Sequence, residues 1–323
     1  MNYGKRNKLI GLRLKRSELF TTLLGQFQKI PFRNSTIKMN YRKRNKLIDK
    51  SFKLIGIFST FIGLILLAYF LVDIFYDGLG RIDLDFLSNL PSRKAEKAGI
   101  LPAWVGTSWI LGLTAMVSIP IGVAAGVYFE EYAKKNRLNN FLEVNIANLA
   151  GVPSIIYGLL GLEIFVRMFN LGGSLLTGAF TLTLLILPII IVATREAVKA
   201  VPKSLREAAY GLGATKWQTV WTQVLPAASG GIMTGTILAL SRAIGETAPL
   251  IVIGALAYVP FIPSTPMDEF TVLPMQIFNW TTRPQHAFLV NAAAAIIVLL
   301  FITFLMNGIA IHLRNKWQKK VNW

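Results

Sequence analysis

Six long apolar stretches constrain this chain more than any other feature. Leu54–Val72, Pro102–Phe129, Val144–Leu162, Leu171–Thr194, roughly Ala228–Ile253 and Ala287–Ile311 each approach or exceed the length of a membrane span. A helix of about 20 residues crosses a ~30 Å hydrocarbon core. Lipid offers the backbone no partners, so such runs are stable there as helices that satisfy their own hydrogen bonds. The expectation is an all-α polytopic membrane protein with six transmembrane helices. With 53% hydrophobic and 15% charged residues, the chain is outside the balance of a soluble domain that merely buries six helices.

The net charge of +18 invites a nucleic-acid reading, but its distribution points elsewhere. Residues 1–53 carry 15 Lys/Arg against only Glu18 and Asp49. With that tail inside, the alternating inner segments hold 27 of the 34 basic residues. Outer loops hold only Arg81, Arg93, Lys94, Lys97 and Arg283, while Arg167 and Arg242 lie at or within spans. Positive-inside bias therefore predicts two cytoplasmic termini. Aromatic residues are not interleaved with the tail's bases to stack nucleobases, so no nucleic-acid partner is expected. The tail reads as a poorly ordered basic arm beside anionic headgroups of the bilayer, followed by a transmembrane domain over residues 54–318. Within the tail, Met1–Ile10 and Met39–Ile48 agree at nine of ten positions, differing only at Gly4 and Arg42. Either a short segment was duplicated, or Met39 is the original start with 38 residues added upstream.

Several chemistries lack their residues. There is no cysteine, and His286 and His312 sit at opposite ends of the last apolar run, so neither a thiolate nor a paired-histidine metal site is expected. No phosphate-binding loop, G-x-G-x-x-G or H-E-x-x-H occurs. No cofactor, metal or catalytic residue is expected, and any ATP hydrolysis needs a partner.

Between the fourth and fifth runs lies the charged segment Ser204–Pro226. Ser204 and Glu207 have the S-x-x-E spacing of a capping box, and Thr215 and Gln218 repeat it as T-x-x-Q. Gly211 and Gly213 suit a helix end, and Pro226 is expected to stop the second helix. The pattern Glu207-Ala208-Ala209, Gly213, Leu225-Pro226 resembles the EAA loop of ABC type I importer permeases, whose loop helix seats in a cleft of the ATPase. Gln223 departs from the isoleucine usual two residues before Leu-Pro. The resemblance implies that Ser204, Glu207, Ala208, Ala209, Gly213, Leu225 and Pro226 form a cytoplasmic coupling-helix hairpin. Its first span is a plainer anchor ahead of the family's five-helix core.

Arg242 and Glu246 are the second signal. Each charge costs roughly 2.5–3.5 kcal/mol at a span's centre, and spacing by four puts both on one helical face. Pro249 withdraws the donor for the Gly245 carbonyl, which predicts a kink beside the pair. One reading is a mutually neutralising pair that glues two helices; the other is a polar patch on a translocation path. Ser241–Leu250, SRAIGETAPL, closely resembles the permeases of the phosphate-specific ABC importer (PstA-type). Val201–Ala209, Gly213–Gln218, Leu273–Trp280 and Gly308–Gln318 extend the likeness, which runs from about Trp104 to Gln318. It implies a substrate path through Arg242, Gly245, Glu246, Thr247 and Pro249. Arginine presents a planar fork to an oxyanion. A carboxylate at Glu246 either accepts the proton that hydrogen phosphate keeps and sulfate lacks, or holds Arg242 until substrate displaces it.

The expected function is therefore the permease subunit of an ATP-driven phosphate importer in the bacterial plasma (inner) membrane. Implied partners are a dimer of ATP-binding ABC subunits, a second related permease making a heterodimer, and an extracytoplasmic phosphate-binding protein. The alternative within the class is a permease for sulfate or molybdate. An ion-coupled secondary transporter would show paired inverted repeats, which are absent here. An intramembrane enzyme would need a base beside Ser154, Ser174 or Glu163, and no such arrangement is visible. Glu163 and Arg167 read as an interfacial ion pair. The proline-rich loop Pro260–His286 is expected to be stiff enough to cover a pore mouth or receive a partner.

Overall fold

The computed structural model describes residues 35–134, 136–255 and 258–321. The chain divides into a unit up to Tyr69 and a unit from Phe70. Helix α1 (Ser35–Gly78) carries the first apolar run. Residues 35–53, expected within a poorly ordered arm, are thus helical, and the first decapeptide copy lies outside the described residues.

The second unit continues with α2 (Leu84–Ser88), α3 (Leu101–Val127), α4 (Arg137–Leu149) and α5 (Ser154–Gly161). Then come α6 (Leu175–Lys199), α7 (Lys203–Gly211), α8 (Lys216–Thr219) and α9 (Leu225–Ile244). Helices α10 (Ala248–Val252), α11 (Leu273–Thr281) and α12 (His286–Val321) complete the fold. Among the described residues, five helices are long and apolar enough to cross a membrane. A sixth span results if the bent pair α4–α5 is one crossing.

That pair corrects one expectation. Val144–Leu162 is not a straight span: the helix breaks over Ala150–Pro153, and the two arms bend by 106°. Pro153 has no N–H to continue the ladder and biases Val152 away from helical angles. The Tyr157 hydroxyl donates to the Leu149 carbonyl at 2.7 Å and fixes the corner. The fourth span also starts later than expected, at Leu175 rather than Leu171. Asn170 and Gly172 adopt positive φ of 53° and 63°, which a right-handed helix excludes.

Helix α6 is the buried centre. Leu182, Leu185, Ile186 and Ile190 form one core with Ile110 of α3, Ala239 and Ala243 of α9, and Leu250 of α10. Small residues permit this closeness on two sides. An added Cβ at Gly122 or Gly126 would lie 2.6 Å from the Ile190 or Thr194 side chain, and one at Gly231 or Gly235 would strike Ala197 or Ala193. Lipid-embedded helices associate by such backbone approach rather than by hydrophobic transfer.

A second core gathers Phe86, Ile100, Trp280, Phe288 and Ala292, where α2 and the following loop meet α11 and the start of α12. Arg81 pins it: its guanidinium donates to the Asn291 side chain and to the Glu96 and Ala98 carbonyls, and lies 4.9 Å from the Phe86 ring centroid. The loop before α11 also closes the start of α6. The Leu175 and Leu176 amides donate to the Asp268 and Pro266 carbonyls, and the Ser174 hydroxyl accepts from the Thr177 amide. Those are donors a helix start leaves unpaired.

Asp268 organises this loop. Hydrogen bonds from the Thr265 hydroxyl, then from the Thr265 and Ser264 amides, hold its carboxyl well below the usual carboxylate range. A lowered folded-state pKa stabilises above the unfolded value of about 3.9 and is lost as pH falls below it. Proteolytic protection of the loop should therefore fall on acidification below about pH 4. Asp268→Asn should show weaker protection already at pH 7 and a flatter profile; equal profiles in the two chains would refute the role.

Candidate functional site

The segment after α6 forms the expected two-helix hairpin, with two changes. Thr215 caps α8: its hydroxyl accepts from the Gln218 amide, and the Gln218 side chain accepts from the Thr215 amide. Ser204 does not cap α7. That helix begins at Lys203 after Pro202, so Ser204 lies inside its first turn and the expected S-x-x-E box is not formed. Proline at the cap position sets the entry angle but offers no side-chain acceptor. At the other end Gly213 takes φ of +83°. Its amide bonds the Tyr210 carbonyl and the Ala214 amide bonds Ala209, the paired closure of a Schellman turn.

Pro226 does not stop the second helix. The chain runs from α8 through a wide π turn at Val220–Val224 into α9, with Pro226 in the first turn of α9. The widened turn accommodates the ring and the missing donor, which a tight α-turn would not. Leu225 and Pro226 thus belong to the start of a span. Glu207, Ala208, Ala209 and Gly213 lie in the hairpin itself. Its exposed surface carries large apolar side chains among charged ones: Leu212 is exposed, and Trp217 and Trp221 stack with centroids 5.6 Å apart while both remain exposed.

Beside the hairpin is a recess of about 350 Å³ lined by Glu130, Glu131, Lys199, Lys203, Arg206 and Glu207 among others. Glu130 and Glu131 lie on a π turn, Tyr128–Tyr132, that extends α3. Arg206 donates to Glu131 at 2.7 and 2.9 Å. Arg195 donates to Glu130 at 3.3 Å and pairs with Glu143 of α4. Sequence reasoning missed these acids. Their signal was an adjacent Glu-Glu at the end of a span whose inner flank is otherwise basic.

At the far end of α9 the helix ends at Ile244, with Gly245 as its cap, and resumes as α10 at Ala248. The expected kink is therefore a full break. Pro249 sits in the first turn of α10, where its missing N–H costs nothing. Among the described residues no hydrogen bond reaches the Gly245 carbonyl. Arg242 occupies the last turn of α9, not the middle of an unbroken helix, and its Nε lies 3.5 Å from Glu246 Oε1. That contact is long, and the arginine side chain keeps 40% of its surface exposed while the glutamate keeps 17%. A backbone approach braces the break from outside: a Cβ on Gly158 of α5 would lie 2.7 Å from Pro249 Cα. The structure thus brings Arg242, Gly245, Glu246, Thr247 and Pro249 together, and separates them from the hairpin by the 20 residues of α9, about 30 Å at helical rise.

A helical membrane body with a two-helix insertion before its broken span has known counterparts. Residues 118–318 match the family described as "Binding-protein-dependent transport system inner membrane component". The chain belongs to this family. The permease is 32% identical over 257 residues to the "Probable ABC transporter permease protein YqgI" of Bacillus subtilis, covering 74% of this chain and 87% of that one. It is 33% identical over 243 residues to the "Phosphate transport system permease protein PstA" of Haemophilus influenzae, covering 74% and 85%. Its fold resembles a chain of a bacterial alginate ABC transporter, with a TM-score of 0.60 at 15% identity, covering 89% of this chain and 98% of that one. A chain of the MetNI methionine ABC transporter gives 0.54 at 18% identity, covering 66% and 94%.

The permease is accordingly a multi-pass inner-membrane subunit that works with an ATP-binding subunit and a substrate-binding protein. Among the described residues no cluster of His, Asp and Glu is suited to a metal ion. The exposed Glu163–Arg167 pair, 2.9 Å apart on the π turn after α5, forms as expected from its spacing.

Proposed function

We propose that this permease is half of the pore of an ATP-driven inorganic phosphate importer. The observation that carries the reading is Arg242 at the break between α9 and α10. It is a half-exposed guanidinium whose one hydrogen bond among the described residues is the 3.5 Å contact to Glu246, which leaves its other nitrogens for an oxyanion. Relatives named as phosphate permeases support the choice of anion. In this reading Gly245, Thr247 and Pro249 shape the path, and Glu246 either reads the phosphate proton or restrains Arg242 between substrates. The hairpin residues Ser204, Glu207, Ala208, Ala209 and Gly213 meet the ATPase, with Leu225 and Pro226 leading the push into α9.

Both termini then face the cytoplasm, with residues 1–53 as a basic inner segment and 54–318 as the permease domain. A related but distinct permease supplies the other half of the pore, and a phosphate-binding protein docks on the opposite side. The test is uptake by the whole complex in liposomes, with ATP supplied to the ATPase side. ATP-dependent phosphate uptake that survives an excess of sulfate and molybdate is expected. Transport of either competitor in preference to phosphate would overturn the assignment.

A further inference from the structure

We propose that Arg206 is the positioning residue that makes the hairpin move as one body with the inner ends of α3 and α6. The inference rests on the reading of the hairpin as the ATPase-docking element. Arg206 and Glu207 are consecutive on α7, so their side chains diverge by about 100°. Glu207 points to solvent, whereas Arg206 turns inward with 16% of its side chain exposed. All three of its guanidinium nitrogens donate. Nε and Nη2 donate to Glu131 Oε1, Nη1 donates to the Val201 carbonyl at 2.7 Å, and Nη2 also donates to the Val198 carbonyl at 2.9 Å.

Each acceptor belongs to a different mechanical part. Glu131, with only 8% of its side chain exposed, extends α3; the Val198 carbonyl lies in the last turn of α6, and Val201 joins α6 to α7. The Val198 carbonyl already accepts from the Val201 amide at 3.2 Å, so the guanidinium takes its second lone pair, and a cation there also meets the negative end of the helix dipole. The neighbouring Glu130 continues the chain of pairs through Arg195 to Glu143, which adds α4. A displacement of α7 therefore reaches α3 and α6 through short, charge-assisted bonds, and α4 through the longer 3.3 Å contact of Arg195 with Glu130. Lysine cannot reproduce this: one ammonium lacks the fork that serves a carboxylate and two carbonyls together.

The cysteine-free sequence allows spin labels to report the coupling directly. Leu212→Cys marks the hairpin, and Lys134→Cys marks the exposed chain just beyond the α3 extension. In the full complex, the distance between the labels should stay the same when ATP is added to the parent chain. In Arg206→Gln it should change or broaden, and transport per ATP hydrolysed should fall roughly tenfold or more. Glu131→Gln keeps an acceptor without its charge and should show a smaller change in the same direction. Arg206→Lys should resemble Arg206→Gln more than the parent. An Arg206→Gln complex with unchanged label distances and unchanged transport per ATP would overturn the proposal. Loss of ATPase association in Arg206→Gln would overturn it too, by making Arg206 a docking residue. The label readout uses ATP alone, so a parent complex that moves as described but carries no phosphate would refute the substrate and leave this coupling standing.

Discussion

Arg242→Gln is expected to abolish phosphate uptake while leaving the complex assembled. An oxyanion held by two charge-assisted bonds to one guanidinium loses about 1.5–3 kcal/mol for each bond removed. That corresponds to a fall of roughly a hundredfold or more. Assembly should survive because the existing contact to Glu246, at 3.5 Å, contributes little, and Arg242 lies outside the buried core around α6. The informative control exchanges the two residues, Arg242→Glu with Glu246→Arg. If the pair only joins neighbouring turns of chain, a reversed ion pair serves equally and uptake persists. If Arg242 must present its fork from the last turn of α9, the exchange fails like the single variant. Glu246→Gln then separates the two roles of the carboxylate. A rise in sulfate uptake relative to phosphate identifies it as the acceptor of the phosphate proton, whereas an unchanged ratio leaves it as a restraint on Arg242.

The sequence made the helical membrane body legible because the length and apolarity of a span are one-dimensional properties. What it hid was where spans break. Val144–Leu162 has the apolar length of a straight crossing, and only Gly151 and Pro153 hinted at the 106° corner. Pro226 misled in the opposite direction. A proline after Leu225 reads as a terminator, but the π turn at Val220–Val224 absorbs it and lets the helix run on. Capping-box spacing succeeded at Thr215 and failed at Ser204, since the same spacing exists wherever the helix starts and Pro202 moved the start. Glu130, Glu131 and Gly158 were missed because their partners, Arg195, Arg206 and Pro249, are distant in sequence. No periodicity within one segment reports a contact between two.

Gly158→Ala should separate a path shaped by packing from one that needs only its charged residues. Helix α5 approaches α10 so closely that the new Cβ would stand 2.7 Å from Pro249 Cα, 2.9 Å from its carbonyl oxygen and 3.0 Å from Val252 Cβ. Two of those three atoms are backbone, so no rotamer change can make room and α10 must move away from α5. Overpacking of this kind costs about 1–3 kcal/mol. The shift falls on the three-residue link Gly245-Glu246-Thr247 that joins α10 to Arg242. Uptake should fall about tenfold or more, with a modest loss of thermal stability. Gly112→Ala is the matched control, because a Cβ there meets nothing within 4 Å, and both uptake and stability should be preserved. Full transport by Gly158→Ala would show that the break tolerates displacement of α10. The substrate path would then have to be sought away from the contact between α5 and α10.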